Sequence, residues 1–529
     1  MFDILIKNGN IIDGTGNAQY IGNVCIKDGR IVKIGPKETG DSKKVIDATN
    51  LYVSPGFIDT HSHGDVVIGE EYPALAKVSQ GITTEVSGQC GICCAPVSEK
   101  FRQDYMNTYA PYCSEDVKSQ LDKFMTSEGY TDFVKNQDLV LNTKNFIGHS
   151  VLRLSVMGFD NRKATEEELE EMKRHVKSAM ENGAAGLSSG LIYVPGPYAP
   201  KEELIELCKI VKEYEGIYVT HMRNESDGLI ESIEEAIEIA KATDVTLWIS
   251  HYKAMGKQNW GKVKEANAII NKARNEGVKI VFDLYPYDAS LTHIYSCVPP
   301  QYLSEGIPAF TKKLKGIEFR EEVKREMNDP TIPYENFYKN SGGFEGVFLT
   351  WCLNTKDAIG MTVAEYAEKL GKDEFDTYFD LLIDNKGIGM CAYFCISNDD
   401  IKYLIQDSYA MIGTDGFVST PELASHPRTF GSIPKAICSF IKEESIMSLE
   451  KLVEKMTSLP AQLLKLEGRG SLTEGNCDDI VVFDFENIKD TADYVNTHEL
   501  SEGIEHVIIN GEIVYEDKRI VKKGAGRLL

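Results

Sequence analysis

Helix–strand units of nearly constant length dominate the middle of the chain, and each closes on a polar residue. Leu204, Leu207, Val211 and Tyr214 mark one helical face, Gly216 stops that helix, and Ile217-Tyr218-Val219-Thr220 runs into His221. A second helix, over about 228–242, feeds Val245-Thr246-Leu247-Trp248-Ile249 and then His251. A third, over about 262–276, ends at Gly277 and feeds Val278-Lys279-Ile280-Val281-Phe282 and Asp283. Upstream, Thr165 and Glu168 form a capping-box pair ahead of the face Leu169, Met172, Val176 and Met180. The closing residues lie 30 and 32 positions apart, the length of one βα unit. Continuous apolar strands belong in a parallel sheet covered on both faces. In a (β/α)8 barrel the functional groups sit at the carboxyl ends of such strands. A doubly wound open sheet repeats in the same way, but no Gly-rich dinucleotide loop follows a strand here. The expected class is α/β, with a (β/α)8 TIM-like barrel.

Both ends of the chain read differently. Ile4-Leu5-Ile6, Val24-Cys25-Ile26 and Ile31-Val32-Lys33-Ile34 are β-rich runs divided by Asn8-Gly9, Asp13-Gly14 and Asp28-Gly29. Ile480-Val481-Val482-Phe483, Val507-Ile508-Ile509 and Ile513-Val514-Tyr515 repeat that character near the far end. One small β-sandwich built from residues 1–55 and 475–529 is therefore expected beside a barrel over 56–474. Pro299, Pro300, Pro308, Pro330, Pro333, Gly342 and Gly343 interrupt the barrel rhythm and predict an inserted, lid-like segment over about 290–345.

Composition removes several function classes. The 57 Lys and Arg face 81 Asp and Glu, a net charge of −24 that argues against nucleic-acid and anionic-membrane partners. No stretch approaches the roughly 18–20 apolar residues of a membrane span. The opening Met1–Lys7 puts Asp3 where a signal peptide wants bases. Twelve cysteines in 529 residues suit a reducing cytoplasm better than a disulfide scaffold. A soluble cytoplasmic protein with a small-molecule partner is expected; its oligomeric state is left open, an oligomer included.

The chemistry gathers at strand ends. Gly56-Phe57-Ile58-Asp59-Thr60-His61-Ser62-His63 is an apolar strand closing on His-x-His, and residues two apart on a strand share a face. Imidazoles so placed suit zinc and other first-row metals. Gly88-Gln89-Cys90-Gly91 follows Ile82-Thr83-Thr84-Glu85-Val86 and offers a thiolate; a buried inert thiol is the plainer reading of Cys90 alone. Cys93 and Cys94 suggest a zinc knuckle, but no second cysteine pair stands at knuckle spacing. His221 and His251 close consecutive apolar strands, and Met411-Ile412-Gly413-Thr414-Asp415-Gly416 closes another on an acid that could equally be a turn or cap residue. His61, His63, Cys90, His221, His251 and Asp415 at successive strand ends together predict a zinc hydrolase.

With those motifs the chain resembles the amidohydrolase superfamily and, within it, the D-aminoacylase (N-acyl-D-amino-acid deacylase) family. Further carriers are Gly148-His149-Ser150-Val151-Leu152-Arg153, Thr220-His221-Met222-Arg223, Ser250-His251-Tyr252-Lys253, Tyr285-Pro286-Tyr287, His426-Pro427-Arg428 and Gly475-Asn476-Cys477-Asp478-Asp479. The resemblance covers essentially the whole chain. It implies a firmly held Zn2+ on Cys90, His221 and His251, and a second, weaker metal position on His61 and His63 with Asp415. It also implies Asp415 as the catalytic acid–base that takes a proton from water and gives it to the leaving amine. The segment Ala185–Gly190 lacks the lysine that bridges two tightly held metals elsewhere in the superfamily, which favours the cysteine-ligated branch. The implied reaction is zinc-dependent hydrolysis of an N-acyl-D-amino acid to a carboxylate and a free D-amino acid. The alternatives are a hydantoinase- or dihydroorotase-like enzyme for cyclic amides, a different N-acyl substrate, or a non-catalytic relative, which typically would have lost ligands. The substrate carboxylate needs a cation, for which Arg428 fits better than Lys253 because a guanidinium forks onto a carboxylate. Tyr193 and Tyr287 are candidate hydroxyl donors. Arg153 and Arg223 are as readily structural ion-pair partners at the barrel end.

Overall fold

The computed structural model describes residues 1–417, 420, 426–477 and 479–529. Its centre is a ring of parallel strands: β1 (Phe57–Asp59), β2 (Ile82–Ser87), β3 (Asn142–Asn145, continued by Ile147–Gly148), β4 (Gly186–Gly190), β5 (Ile217–His221), β6 (Thr246–Ile249), β7 (Ile280–Leu284) and β8 (Ala410–Ile412). Neighbours pair in chain order from β1 to β8. The ring closes just past the strand ends, where Ser62 bridges Gly416 in parallel and the Asp415 N–H donates to the His61 carbonyl at 2.7 Å. Ile58, Val86, Phe146, Val219, Trp248, Val281 and Met411 pack together in one buried cluster. The barrel is thus filled by side chains and is no channel.

Helices return each strand to the next. Glu166–Glu181 starts on the expected capping box, Glu168 N–H to Thr165 Oγ1 at 3.2 Å and Thr165 N–H to Glu168 Oε2 at 2.8 Å. Lys201–Glu213, Leu229–Thr243 and Val263–Asn275 follow, each burying the apolar stripe that its periodicity predicts.

Both termini enter one nine-stranded sheet. Tyr52–Pro55 pairs with Phe2–Ile11 in parallel on one side and with Ile480–Phe483 antiparallel on the other, joining the two ends of the chain. Ile4, Ile6, Val24, Ile26, Ile480, Val482 and Ile508 share a core separate from that of the barrel. Asp478, within the returning segment, lies outside the described residues.

The insertion between β7 and β8 is longer than the proline and glycine pattern indicates. Ala289–His293 pairs antiparallel with Gly389–Phe394, which also pairs with Val347–Cys352, so the inserted body runs on to Phe394 rather than stopping near 345. Four of its helices are Ile307–Lys313, Ile317–Met327, Val363–Leu370 and Glu374–Asp384. The Ala289↔Phe394 pairing spans a sequence distance that no local signal encodes.

Candidate metal centre

The turns beyond β1, β2, β6 and β8 and the end of β5 converge on one buried cluster. His61, His63, Cys90 and Asp415 bring one ligand atom each to within 4.8 Å of one another, and Cys90, His221 and His251 do the same. Cys90 belongs to both groups, so the two sets abut. The backbone is bent to present three of these side chains: Cys90, His251 and Asp415 have φ of 55°, 33° and 45°. Non-glycine residues adopt that left-handed region at a cost of roughly 1–3 kcal/mol, and such outliers cluster at functional sites. Gly413 lets β8 come this close, since a Cβ there would meet the His61 Cβ at 2.6 Å.

Electrostatics in the cluster are set by burial and by the charges packed against it. Burial pushes the Cys90 thiol up, but the imidazoles of His61 and His251 outweigh it and hold the thiol well below its ordinary value. Its Sγ lies 3.2 Å from His61 Nε2 and 3.3 Å from His251 Nε2. Burial lowers His221 to about 4, leaving a neutral imidazole; its Nδ1 is buried without a hydrogen-bond partner, and its Nε2 faces Glu225 Oε2 at 3.3 Å. An orphaned buried polar atom costs about 1–3 kcal/mol, and coordination to a cation would relieve it. The donor set of thiolate, imidazoles and carboxylate fits zinc. Asp415, despite burial, is held well below the usual carboxylate range by the Arg428 guanidinium and then by His61.

A pocket of about 630 Å³, open mouth included, lies against the cluster. His63, Cys90 and Asp415 form its polar floor, and Tyr193, Thr292, His293 and Arg428 stand on its walls. Arg428 is 2% exposed; its Nη2 pairs with Asp415 Oδ2 at 2.9 Å, and its guanidinium carbon stands over the Tyr285 ring at 4.5 Å. Its Nε and Nη1 are buried without a partner. Tyr193 reaches the pocket with its hydroxyl accepting from Thr292 Oγ1 at 3.1 Å. The other two candidates for substrate contact are placed elsewhere. Lys253 Nζ is ion-paired with Glu225 Oε2 at 2.6 Å and donates to the His251 carbonyl at 2.9 Å. Tyr287 points its hydroxyl at the Pro427 carbonyl, 3.4 Å away, outside the pocket lining. Arg153 pairs with buried Glu203, which also meets His149 Nε2 at 2.8 Å, and Arg223 pairs with Glu235 at 2.9 Å. Both arginines are engaged in ion pairs.

Several supporting residues carry no clear mark in the sequence. Glu225 lies fully buried, 3.0 Å from His251 Nδ1. Asp283 is visible as a strand-end acid, but its work is structural: it accepts from Trp248 Nε1 at 2.6 Å and the His251 N–H at 2.9 Å, and faces His61 Nδ1 at 3.2 Å. Lys77 is buried against Asp59 at 2.5 Å and donates to Thr414 Oγ1 at 2.8 Å, tying β1 to the loop that carries Asp415. A lysine set between Ala76 and Val78 is its one sequence signal.

A filled (β/α)8 barrel whose strand ends gather thiolate, imidazole and carboxylate beside an apolar pocket defines a metal-dependent hydrolase. The Amidohydrolase family model matches residues 44–323 and 411–515, and the chain belongs to that family. It is 30% identical to the D-aminoacylase of Alcaligenes xylosoxydans xylosoxydans, over 100% of this chain and 97% of the relative. It is 29% identical to the N-acyl-D-aspartate deacylase of the same organism, over 100% and 95%. Its fold is similar to that of the N-acyl-D-glutamate deacylase of Bordetella bronchiseptica, whose structure was solved with zinc and a phosphonate inhibitor. That likeness has a TM-score of 0.82 and 29% identity, covering 100% of this chain and 99% of the other.

Proposed function

We propose that this chain hydrolyses the amide bond of N-acyl-D-amino acids, releasing a carboxylate and a free D-amino acid. The observation that carries the reading is Arg428: a buried guanidinium with Nε and Nη1 unmatched, on the wall of a largely apolar pocket, beside the ligand cluster. Unmatched N–H donors on a buried cation suit a carboxylate acceptor. The D configuration and the linear amide follow the relatives that match over the full length. The buried strand β4 carries no lysine, which sets this site apart from the alternative for cyclic amides.

Cys90, His221 and His251 would hold one zinc ion firmly, and His61, His63 and Asp415 a second one more weakly. Bound there, zinc supplies Lewis-acid activation of water and of the amide carbonyl. The chain's own residues do the rest. Arg428 binds the α-carboxylate through an N–H that Asp415 leaves free, while its Nη2 pairs with Asp415 Oδ2. Asp415 takes the proton of the attacking water on Oδ1 and returns it to the departing nitrogen. The inserted body closes part of the wall with Leu291, Thr292, His293 and Met390, limiting water around the reacting amide.

The remaining wall favours an apolar side chain on the substrate. Val66, Ile92, Leu291, Met390 and Phe417 line it, and Arg428 is the one Lys or Arg on the lining among the described residues. Residues 418–425 contribute no Lys or Arg either. A side-chain carboxylate would thus be buried unpaired. The test is amine release from N-acetyl-D- and N-acetyl-L-forms of leucine, phenylalanine, aspartate and glutamate with zinc supplied. Release confined to D-leucine and D-phenylalanine is expected. Equal release from L-forms sinks the deacylase reading, and preferred release from the acidic D-forms sinks the pocket argument alone. A cytoplasmic location is part of the same proposal: among the described residues no disulfide forms and no helix is long and apolar enough to cross a membrane.

A further inference from the structure

We propose that Glu225 is a positioning residue for the zinc ligands, and that Glu335 of the inserted body holds it in place. The inference rests on the ligand assignment above. Glu225 is fully buried and lines no part of the substrate pocket. Its Oε1 lies 3.0 Å from His251 Nδ1, and its Oε2 lies 3.3 Å from His221 Nε2 and 2.6 Å from Lys253 Nζ. One carboxylate therefore faces both strand-end imidazoles.

The contacts put a carboxylate and an ammonium on the same ring nitrogen of His251. Lys253 Nζ stands 2.8 Å from His251 Nδ1, so lysine and glutamate compete for that nitrogen. The ammonium has Glu225 Oε2 and the His251 carbonyl, 2.9 Å away, as acceptors for its protons. In the tautomer with its proton on Nδ1, that N–H donates to Glu225 Oε1 and the lone pair of Nε2 faces Cys90 Sγ at 3.3 Å. A ligating histidine needs that state, and the carboxylate on its far nitrogen fixes ring orientation and raises basicity.

The backbone of Glu225 is pinned from two directions. Its carbonyl accepts the Met255 N–H at 2.7 Å, and its N–H donates to Glu335 Oε2. Glu335 is itself buried, and its Oε1 accepts from Asn340 Nδ2 at 2.7 Å. Glu335 and Asn340 both belong to the insertion between β7 and β8. A continuous buried path thus runs from the inserted body through Glu225 to His251 and His221.

The test is zinc affinity of the full-length protein, by competition with a fluorescent chelator, beside steady-state kinetics at saturating zinc. Glu225→Gln keeps the shape but replaces the charged acceptor; its zinc affinity is expected to fall about 10–100-fold. KM at saturating zinc should stay within about threefold of wild type, because Glu225 touches no substrate; a residue needed only for packing would not separate the two readouts. Zinc affinity within twofold of wild type in E225Q, while Cys90→Ser loses it, overturns this inference and leaves the ligand assignment standing. Unchanged affinity in Cys90→Ser overturns both. If E225Q does not fold, Glu335→Gln decides: a several-fold loss of zinc affinity supports the path, and an unchanged value overturns it.

Discussion

Replacing Arg428 by methionine separates its two jobs. The substitution keeps an unbranched stem over Tyr285 and removes the charge from both Asp415 and the substrate carboxylate. Losing a buried ion-pair partner leaves Asp415 uncompensated and costs about 3–5 kcal/mol whichever substrate is present. The carboxylate contact is additional. A hydrogen bond from Nε or Nη1 to a charged acceptor is worth about 1.5–3 kcal/mol, or roughly 10–150-fold in kcat/KM. A substrate cycle isolates it. Acetate release is measured from N-acetyl-D-leucine and from its primary amide, which lacks the charge, in wild type and in Arg428→Met. Wild type should prefer the acid by about 10–150-fold, and the variant should prefer neither, whatever its overall loss. The same fold-loss on both substrates, within about threefold, would refute the assignment of Arg428 to the carboxylate.

Three further perturbations probe the rest of the site. Asp415→Asn suits the left-handed backbone at φ 45°, so it should fold and bind substrate while kcat drops about 10²–10⁴-fold; turnover near the wild-type rate removes Asp415 from proton transfer. Lys77→Met breaks the buried pair with Asp59 and should cost about 3–5 kcal/mol in urea unfolding, part of it recovered in Lys77→Met/Asp59→Asn; a single variant as stable as wild type would show that the clamp contributes nothing. Burial raises Glu335 from 4.5 to about 7, so the folded state holds that proton more tightly than the unfolded one. Its contribution is therefore greatest below pH 4.5, declines as pH rises to 7, and is gone above it, a change of about 3 kcal/mol in order of magnitude. Glu335→Gln should flatten that decline, and an unchanged pH profile of unfolding would contradict it.

All six proposed metal-site residues are legible in the amino-acid sequence, because each closes an apolar strand or its turn, and both periodicity and turn chemistry are local. The insertion is legible as an interruption and not as a fold. Its last strand is defined by pairing Phe394 with Ala289, and that register exists only once the chain has returned. Lys253 reads in sequence as a free cation two residues after His251; in space it belongs to Glu225, 28 positions upstream. Tyr287, in a motif beside Tyr285, turns its hydroxyl away from the pocket, while Tyr285 supplies the face on which Arg428 rests.

The sequence by itself determined the barrel, the identity of the strand-end chemistry and the class of reaction, since these follow from which residue types recur at which spacing. Only the tertiary structure decided which charges are already spent. Lys253, Asp59, Glu203 and Arg223 each have a partner brought in from another part of the chain, whereas Arg428 on the pocket wall keeps two donors unmatched. Charge is a property of one residue and can be read from its letter. Its availability depends on every group within a few ångströms in a low-dielectric interior, and that neighbourhood is set by the fold.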